Sequence, residues 1–306
     1  MAADTIRTAT AAPAADRTVT DTRALEAGLD ALDSVVAPQQ PRWWRAVWHA
    51  SWPTAVALIA LGGIWQAVVL AKVKPRYALP SPGDVWAAVD LAVQDGTAAR
   101  AIASSVERAA IGFAVSAVLG ILLGTAMATI PLLRRALGPI VTGLQSLPSV
   151  AWVPAAIIWF QLSNAAIFAV VLLGAIPSIV NGLLAGADQV PPLFLRVGSV
   201  LGARGWTRIR YVLLPGALPG FVAGLKQGWA FAWRSLMAAE LITSSPRLGT
   251  GLGQLLELGR EISDMSLVVA SILLIFAVGI TIELLVFTPI ERRVLRARGL
   301  TGTAGH

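Results

Sequence analysis

The sequence contains no cysteine, which excludes a disulfide framework and any thiolate metal site. Its two histidines, His49 and His306, lie outside the apolar segments, so neither a catalytic histidine nor a metal site is expected. Lysine is almost missing as well: the three are Lys72, Lys74 and Lys226, preceded by Ala71, Val73 and Leu225. A phosphate-cradling GxxxxGK[ST] loop needs glycine before its lysine, so this chain has no such loop to hydrolyse ATP with. Charged residues are only 13% of the chain, against about 25% in soluble domains.

What fills the 306 residues is apolar: 56% are hydrophobic and the mean hydropathy is +0.71. The apolar content comes in runs of about twenty residues, the length that crosses a bilayer core. The spacing predicts an all-α, polytopic membrane protein with about six spans, near residues 53–73, 103–130, 137–161, 165–185, 218–243 and 266–287. Arginine supplies 21 of the 24 basic residues, and these gather in the polar gaps between runs. That pattern orients a membrane protein with its basic loops inside; no nucleic-acid motif accompanies it, and no nucleic-acid partner is expected. Both termini are placed in the cytoplasm, with membrane lipid as the surrounding partner.

Residues 1–40 are rich in Ala, Thr and Asp and show no apolar run after the first charges, unlike a cleavable signal peptide. They read as a disordered cytoplasmic tail, with helical spacing over 22–36. Residues 41–298 form the membrane domain and 299–306 a second cytoplasmic tail. Tryptophans 43, 44, 48 and 52 lead into the first span, since indole rings settle at the headgroups. After it, Leu79-Pro80-Ser81-Pro82 predicts a rigid turn, followed by an amphipathic stretch over 84–100 along the outer face. The third span is interrupted by Pro139, Pro148 and Pro154; it is either a broken helix around a cavity or a kinked packing helix.

Ionisable residues inside spans are costly and mark pathways or pairs. Glu107, Arg108, Lys226, Arg234, Glu240 and Glu283 are such groups. Arg234 lies roughly 24 Å along its helix from Leu218 at about 1.5 Å per residue. It either offers its planar guanidinium to an anionic substrate or pairs with Glu240 or Glu107. Gln145, Ser146, Asn181 and Ser235, with Gln227, are further polar groups at membrane depth that either line the pathway or bond between helices. Candidate pathway residues are Gln145, Ser146, Asn181, Arg234, Ser235 and Glu240.

The longest connection, residues 186–216, reads as a short amphipathic helix, Leu201-Gly202-Ala203, then a basic helix ending at Leu214-Pro215. Gly202 suits the positive φ that ends a helix. Here the sequence resembles the permease subunits of ABC importers, whose loop signature is EAA-x3-G-x9-I-x-LP. Gly202 and Leu214-Pro215 fall where the signature has its Gly and its LP, whereas Arg196, Val197 and Gly198 occupy the Glu-Ala-Ala positions. The resemblance extends through LPSPGDV (79–85), SVERAAIGF (105–113), SLPSVAWVPAAIIWF (146–160) and FAWRSLMAAELI (231–242), and has the character of the nitrate, sulfonate, taurine and bicarbonate branch.

The resemblance implies a type I importer permease fold and a division of labour. A second permease chain, as a homodimer, completes the pathway in the bacterial plasma membrane. Two ATPase subunits use ATP and Mg and grip the loop holding Arg196, Val197, Gly198, Leu201, Gly202, Ala203, Leu214 and Pro215. An extracytoplasmic binding protein delivers the substrate, and this chain binds no cofactor. Leu193, Phe194, Val197 and Leu201 are then expected to pack on the ATPase or against the spans. The implied substrate is an aliphatic sulfonate or taurine, with nitrate, bicarbonate or a vitamin precursor as alternatives. A gradient-driven carrier is the rival within transport, but no second copy of the Gly202 loop exists to make the repeat such carriers often show. A membrane enzyme lacks any nucleophile, metal or cofactor constellation.

Overall fold

Seen in lipid, a spanning backbone must satisfy its own hydrogen bonds, which restricts an apolar chain of this kind to helices or a closed barrel. The computed structural model describes residues 43–243 and 249–298, with side chains from Trp52 onward, and among them regular structure is entirely helical. The tails at 1–40 and 299–306, with the helical spacing over 22–36, lie outside the described residues. By backbone contacts the chain divides at Ile64. The first unit is, among described residues, the leading part of helix α1 (Trp43–Leu70), whose stretch Trp52–Leu70 is long and apolar enough to cross a membrane.

The second unit starts at Trp65. The Trp65 indole donates to the Pro80 carbonyl at 3.1 Å, just before helix α2 (Pro82–Gln94). Ser81 and Asp84 cap that helix reciprocally: Ser81 Oγ accepts from the Asp84 amide at 3.2 Å and the Asp84 carboxylate from the Ser81 amide at 2.9 Å, with Pro82 set at the first turn where its missing N–H costs nothing. The amphipathic stretch predicted over 84–100 is two pieces, because Gly96 takes φ +74° and the chain turns there into α3 (Thr97–Thr129), 33 residues long.

The third predicted span is a broken one. Helix α4 (Pro131–Ser146), a single tight turn (Ser149–Trp152) and α5 (Val153–Phe160) meet at a bend of 101°. Of the three prolines only Pro148 breaks the chain: it holds Leu147 in an extended conformation, ψ 133°, as the residue before a proline requires. Pro139 lies inside α4, and Pro154 falls in the first turn of α5, where no hydrogen bond is lost.

Helix α6 (Asn164–Asp188) is the centre of the second unit, with Ile167, Val170, Val171, Ile179 and Val180 fully buried. Lipid tails are as apolar as these side chains, so burial by itself gains little and close van der Waals packing must hold the helices together. Glycines permit it. A Cβ on Gly224 of α8 (Leu214–Ile242) would lie 2.6 Å from the Cα of Gly182, and one on Gly220 2.5 Å from the Cα of Gly186. On its other side α6 meets α3, where Gly120 faces Ile179. An aromatic cluster fills the space beyond: Phe113 stands edge-on to Trp229 at 5.4 Å, and Phe287 lies 5.7 Å from Trp229.

Helix α7 (Pro192–Val200) follows α6, and a short turn (Trp206–Arg208) with a π-helical segment (Ile209–Leu213) runs straight into α8. Helix α9 (Leu252–Glu261) precedes α10 (Met265–Ile282), which continues through a second π-helical segment (Glu283–Phe287) into α11 (Thr288–Arg296). Of the six segments predicted as spans, those of α1, α3, α6 and α10–α11 are apolar enough to cross by themselves, and the bent α4–α5 pair makes a fifth. Helix α8 is long enough at 29 residues but carries Lys226, Arg234 and Glu240, and does not rank with them on composition.

Candidate functional site

The loop between α6 and α8 is built around two glycines. Helix α7 ends in a Schellman turn: the Ala203 amide donates to the Gly198 carbonyl at 2.8 Å and the Gly202 amide to that of Ser199 at 3.1 Å. Gly202 takes φ +82°, the left-handed position that closes such a turn. Gly198 is buried, and a Cβ there would come within 2.9 Å of Val212; a helix can lie this close on the π-helical segment only where a side chain is missing. The loop residues therefore form one body. Leu214 and Pro215 begin α8, with Pro215 in its first turn.

Against that body, Phe194, Val197 and Leu201 leave their faces exposed. With Tyr211, Pro215 and Arg298 they line a groove of about 370 Å³. Leu193 is exposed as well. Tyr211, Val212 and Arg298 were not among the residues singled out from sequence, because what joins them to the loop is the packing of Val212 on Gly198 and the return of the chain after α11. A second hollow, about 390 Å³, lies on the other side of the loop beside Arg208 and Leu213. At its edge Arg134 grips Asp188 with two hydrogen bonds, Nη1 to Oδ1 at 2.8 Å and Nη2 to Oδ2 at 2.6 Å.

The polar candidates within the membrane domain divide into three settings. Gln145 of α4 bridges to α6: Asn181 Nδ2 donates to Gln145 Oε1, whose own amide nitrogen donates to Ser178 Oγ at 3.3 Å. Ser146 is exposed and donates to the Gly143 carbonyl at 2.7 Å. Ser235 is fully buried against Gly174, and its Oγ has no hydrogen-bond partner among the described residues.

Glu240 is the hub of the third setting. It is fully buried, which an ionised carboxylate tolerates only with several partners. Arg108 Nη1 meets its Oε1 at 2.9 Å, Ser105 Oγ donates to Oε2 at 2.7 Å, and the Gly253 amide donates to Oε2 at 3.1 Å. Ser105 in turn accepts from the Leu252 amide at 2.8 Å. The carboxylate thus joins α3, α8 and the N-terminus of α9, where unpaired amides and the helix dipole favour an anion. Gly251 closes over it: a Cβ there would touch the carboxylate at 2.5 Å.

Arg234 is not the partner of Glu240. Six residues apart, the two side chains are turned by roughly 240° about the helix axis. Glu107, also offered as a partner, is exposed, while its neighbour Arg108 faces inward. The sequence signal for the true pair was Ser105 and Arg108 at i and i+3, which share a helix face. Arg234 is exposed, donates from Nε to the Ala230 carbonyl at 3.1 Å, and holds its guanidinium 4.7 Å above the Phe231 ring. Among the described residues no carboxylate forms an ion pair with it. It borders a cavity of about 550 Å³ between α8 and α10, together with Trp229, Trp233, Phe276 and Glu283. Glu283 is itself held by Lys226 at 2.9 Å, which also reaches Glu291 at 3.1 Å.

Comparison with known proteins bears on what this arrangement is for. Residues 116–296 match the family model described as the binding-protein-dependent transport system inner membrane component. The taurine transport system permease protein TauC of Escherichia coli (strain K12) is 29% identical over 224 residues, covering 72% of this chain and 80% of that protein. The nitrate import permease protein NrtB of Leptolyngbya laminosa is 28% identical over 242 residues, covering 76% of this chain and 84% of its own. Among solved structures, the MetNI methionine ABC transporter in an inward-facing conformation superposes with a TM-score of 0.51 at 19% identity, over 64% of this chain and 95% of that one; this likeness shows the fold, that of a type I importer permease. Such subunits are transport channels and not enzymes, and the ATPase activity lies in a partner. With more than half of its length matched, and with apolar helices of spanning length, the chain belongs to the binding-protein-dependent transport system inner membrane components, the permeases of ABC importers.

Proposed function

We propose that this permease carries a small oxyanion, an aliphatic sulfonate or taurine, and that Arg234 receives it. The observation that carries the reading is a guanidinium bordering a cavity and, among the described residues, bonded to no carboxylate. Stacking on Phe231 leaves its Nη donors available for oxygen atoms of a sulfonate, a geometry to which a planar fork is suited. Apart from Glu283, which Lys226 holds, the remaining wall of the cavity is aromatic and aliphatic. Glu240, Ser235 and the Gln145–Asn181 pair serve the same pathway by fixing the helices around it. Nitrate is the second reading, because the likeness to a nitrate permease is nearly as great as that to a taurine permease.

In this reading two copies of the chain form the pathway, both termini are cytoplasmic, and two ATPase subunits that use Mg and ATP seat on the loop around Gly202. The exposed faces of Phe194, Val197 and Leu201 and the rigid Schellman turn support that seat. The test is uptake of labelled taurine and nitrate by cells expressing the importer with its ATPase and binding protein. Arg234→Ala is expected to cut uptake about tenfold or more, as loss of a charged hydrogen bond does, with Arg234→Lys intermediate and membrane levels equal. Unchanged uptake by Arg234→Ala refutes the role.

A further inference from the structure

We propose that Glu283 is the second pole of the cavity that Arg234 borders, and that the two select a zwitterionic aminosulfonate over a simple anion, its sulfonate at Arg234 and its ammonium at Glu283. The inference rests on the reading of this cavity as the substrate site and adds a specificity-determining residue to it.

Charge balance carries the inference. Glu283 and Glu291 share one cation, Lys226, at 2.9 and 3.1 Å, so the three side chains hold two negative charges against one positive. Eight residues apart on a regular helix, two side chains are turned by roughly 80° about the axis. The π-helical segment Glu283–Phe287 lies between these two, and its wider turn offsets that rotation, which lets one ammonium reach both. Lys226 bonds Oε1 of Glu283; among the described residues no hydrogen bond uses Oε2. Glu283 therefore keeps an acceptor and a share of uncompensated negative charge. Its side chain is partly exposed, and it borders the same cavity as Arg234.

Arg234 is the opposite pole. Along α8 it lies eight residues past Lys226, roughly 12 Å of rise. Its hydrogen bond to the carbonyl of Ala230, midway between the two, draws the guanidinium back toward the Lys226 cluster. With no ligand the two poles cancel. A simple anion bound at Arg234 neutralises that pole and leaves the negative one beside it, a like-charge contact that disfavours nitrate or an alkanesulfonate. An aminosulfonate brings its own cation. The occupied cavity then stays neutral among aromatic and aliphatic walls, where an unbalanced charge is costly.

The test measures equilibrium binding of labelled taurine and labelled ethanesulfonate, which share the sulfonate and differ in the ammonium. The permease–ATPase complex is held in nanodiscs without the binding protein, so that the binding protein's own preference does not enter. Wild type is expected to hold taurine about tenfold or more tighter, the scale of one charged hydrogen bond. Glu283→Gln is expected to erase that preference and Glu283→Asp to keep most of it; a purely structural carboxylate would not change the ratio of the two ligands. Glu291→Gln is expected to reduce the preference without touching the cavity, because Lys226 then cancels Glu283 alone. Arg234→Ala is expected to weaken both ligands. Equal binding of the two by wild type, or a preference unchanged in Glu283→Gln, overturns the proposal. If Arg234→Ala then still weakens both, the cavity remains the substrate site and only its second pole fails. If Arg234→Ala changes neither, or wild type binds neither, the site itself is wrong and the proposal falls with it.

Discussion

Glutamine at position 240 is the most informative single change, because it keeps the size of the side chain and removes only its charge. Arg108 would then lose the ion pair it makes with Glu240 at 2.9 Å, and the Gly253 amide and Ser105 hydroxyl would face a weaker acceptor. Removing one member of a buried ion pair costs about 3–5 kcal/mol, most of it the penalty of the charge left behind. On a domain of this size that corresponds to a fall in Tm of roughly 6–20 °C. Tryptophan fluorescence of the purified chain in detergent would follow it, since Trp229 and Trp233 sit in the same bundle. The pair Arg108→Met with Glu240→Met should recover most of the loss, as apolar residues of similar volume often replace a buried pair at little cost. The resulting coupling energy would be about 2 kcal/mol or more, within the range for groups in direct contact. A Tm for Glu240→Gln within about 2 °C of wild type, or strictly additive single changes, would refute the account of Glu240 as a charged hub.

Gly202→Ala forces a Cβ into the left-handed region and should cost about 1–2 kcal/mol, read as loss of transport-coupled ATP hydrolysis at a normal membrane level. Gly182→Leu puts a side chain where Gly224 approaches to backbone contact; overpacking of about 1–3 kcal/mol or more is expected, checked by thermal aggregation in detergent. Lys226→Met leaves Glu283 and Glu291 facing each other without their shared cation, and reduced stability that partly recovers in Lys226→Met with Glu291→Gln would confirm the arrangement. Asp188→Asn, by contrast, releases an exposed ion pair worth about 0.2–1 kcal/mol, so its Tm should match wild type at high salt.

Much of the helical layout was legible because an apolar run of spanning length is seldom stable anywhere but in a bilayer. The breaking proline was also there to be read, but choosing Pro148 over Pro139 and Pro154 required its position relative to each helix start, and helix starts are the weakest part of a pattern reading. Gly202 announced its turn, since glycine takes positive φ at no steric cost. The partner of Glu240 was another matter. Arg108 and Glu240 are 132 residues apart, and hydropathy carries no information on which of two adjacent residues, Glu107 or Arg108, turns inward when both are charged. The groove stayed hidden for a related reason, as Arg298 reaches the loop only through the fold.

The unbroken helical path from Trp206 through the π-helical segment to Glu240 has a mechanical meaning. It is a rod of roughly 50 Å at about 1.5 Å per residue, with the Gly202 loop at one end and the knot that holds the start of α9 at the other. Because Gly220 and Gly224 lie directly on Gly186 and Gly182, this rod cannot slide past α6 without separating their backbones. Under the proposed seating of the ATPase, a push delivered at the loop would be carried by both helices together and would arrive at the far end as displacement of the carboxylate to which the first turn of α9 is tied.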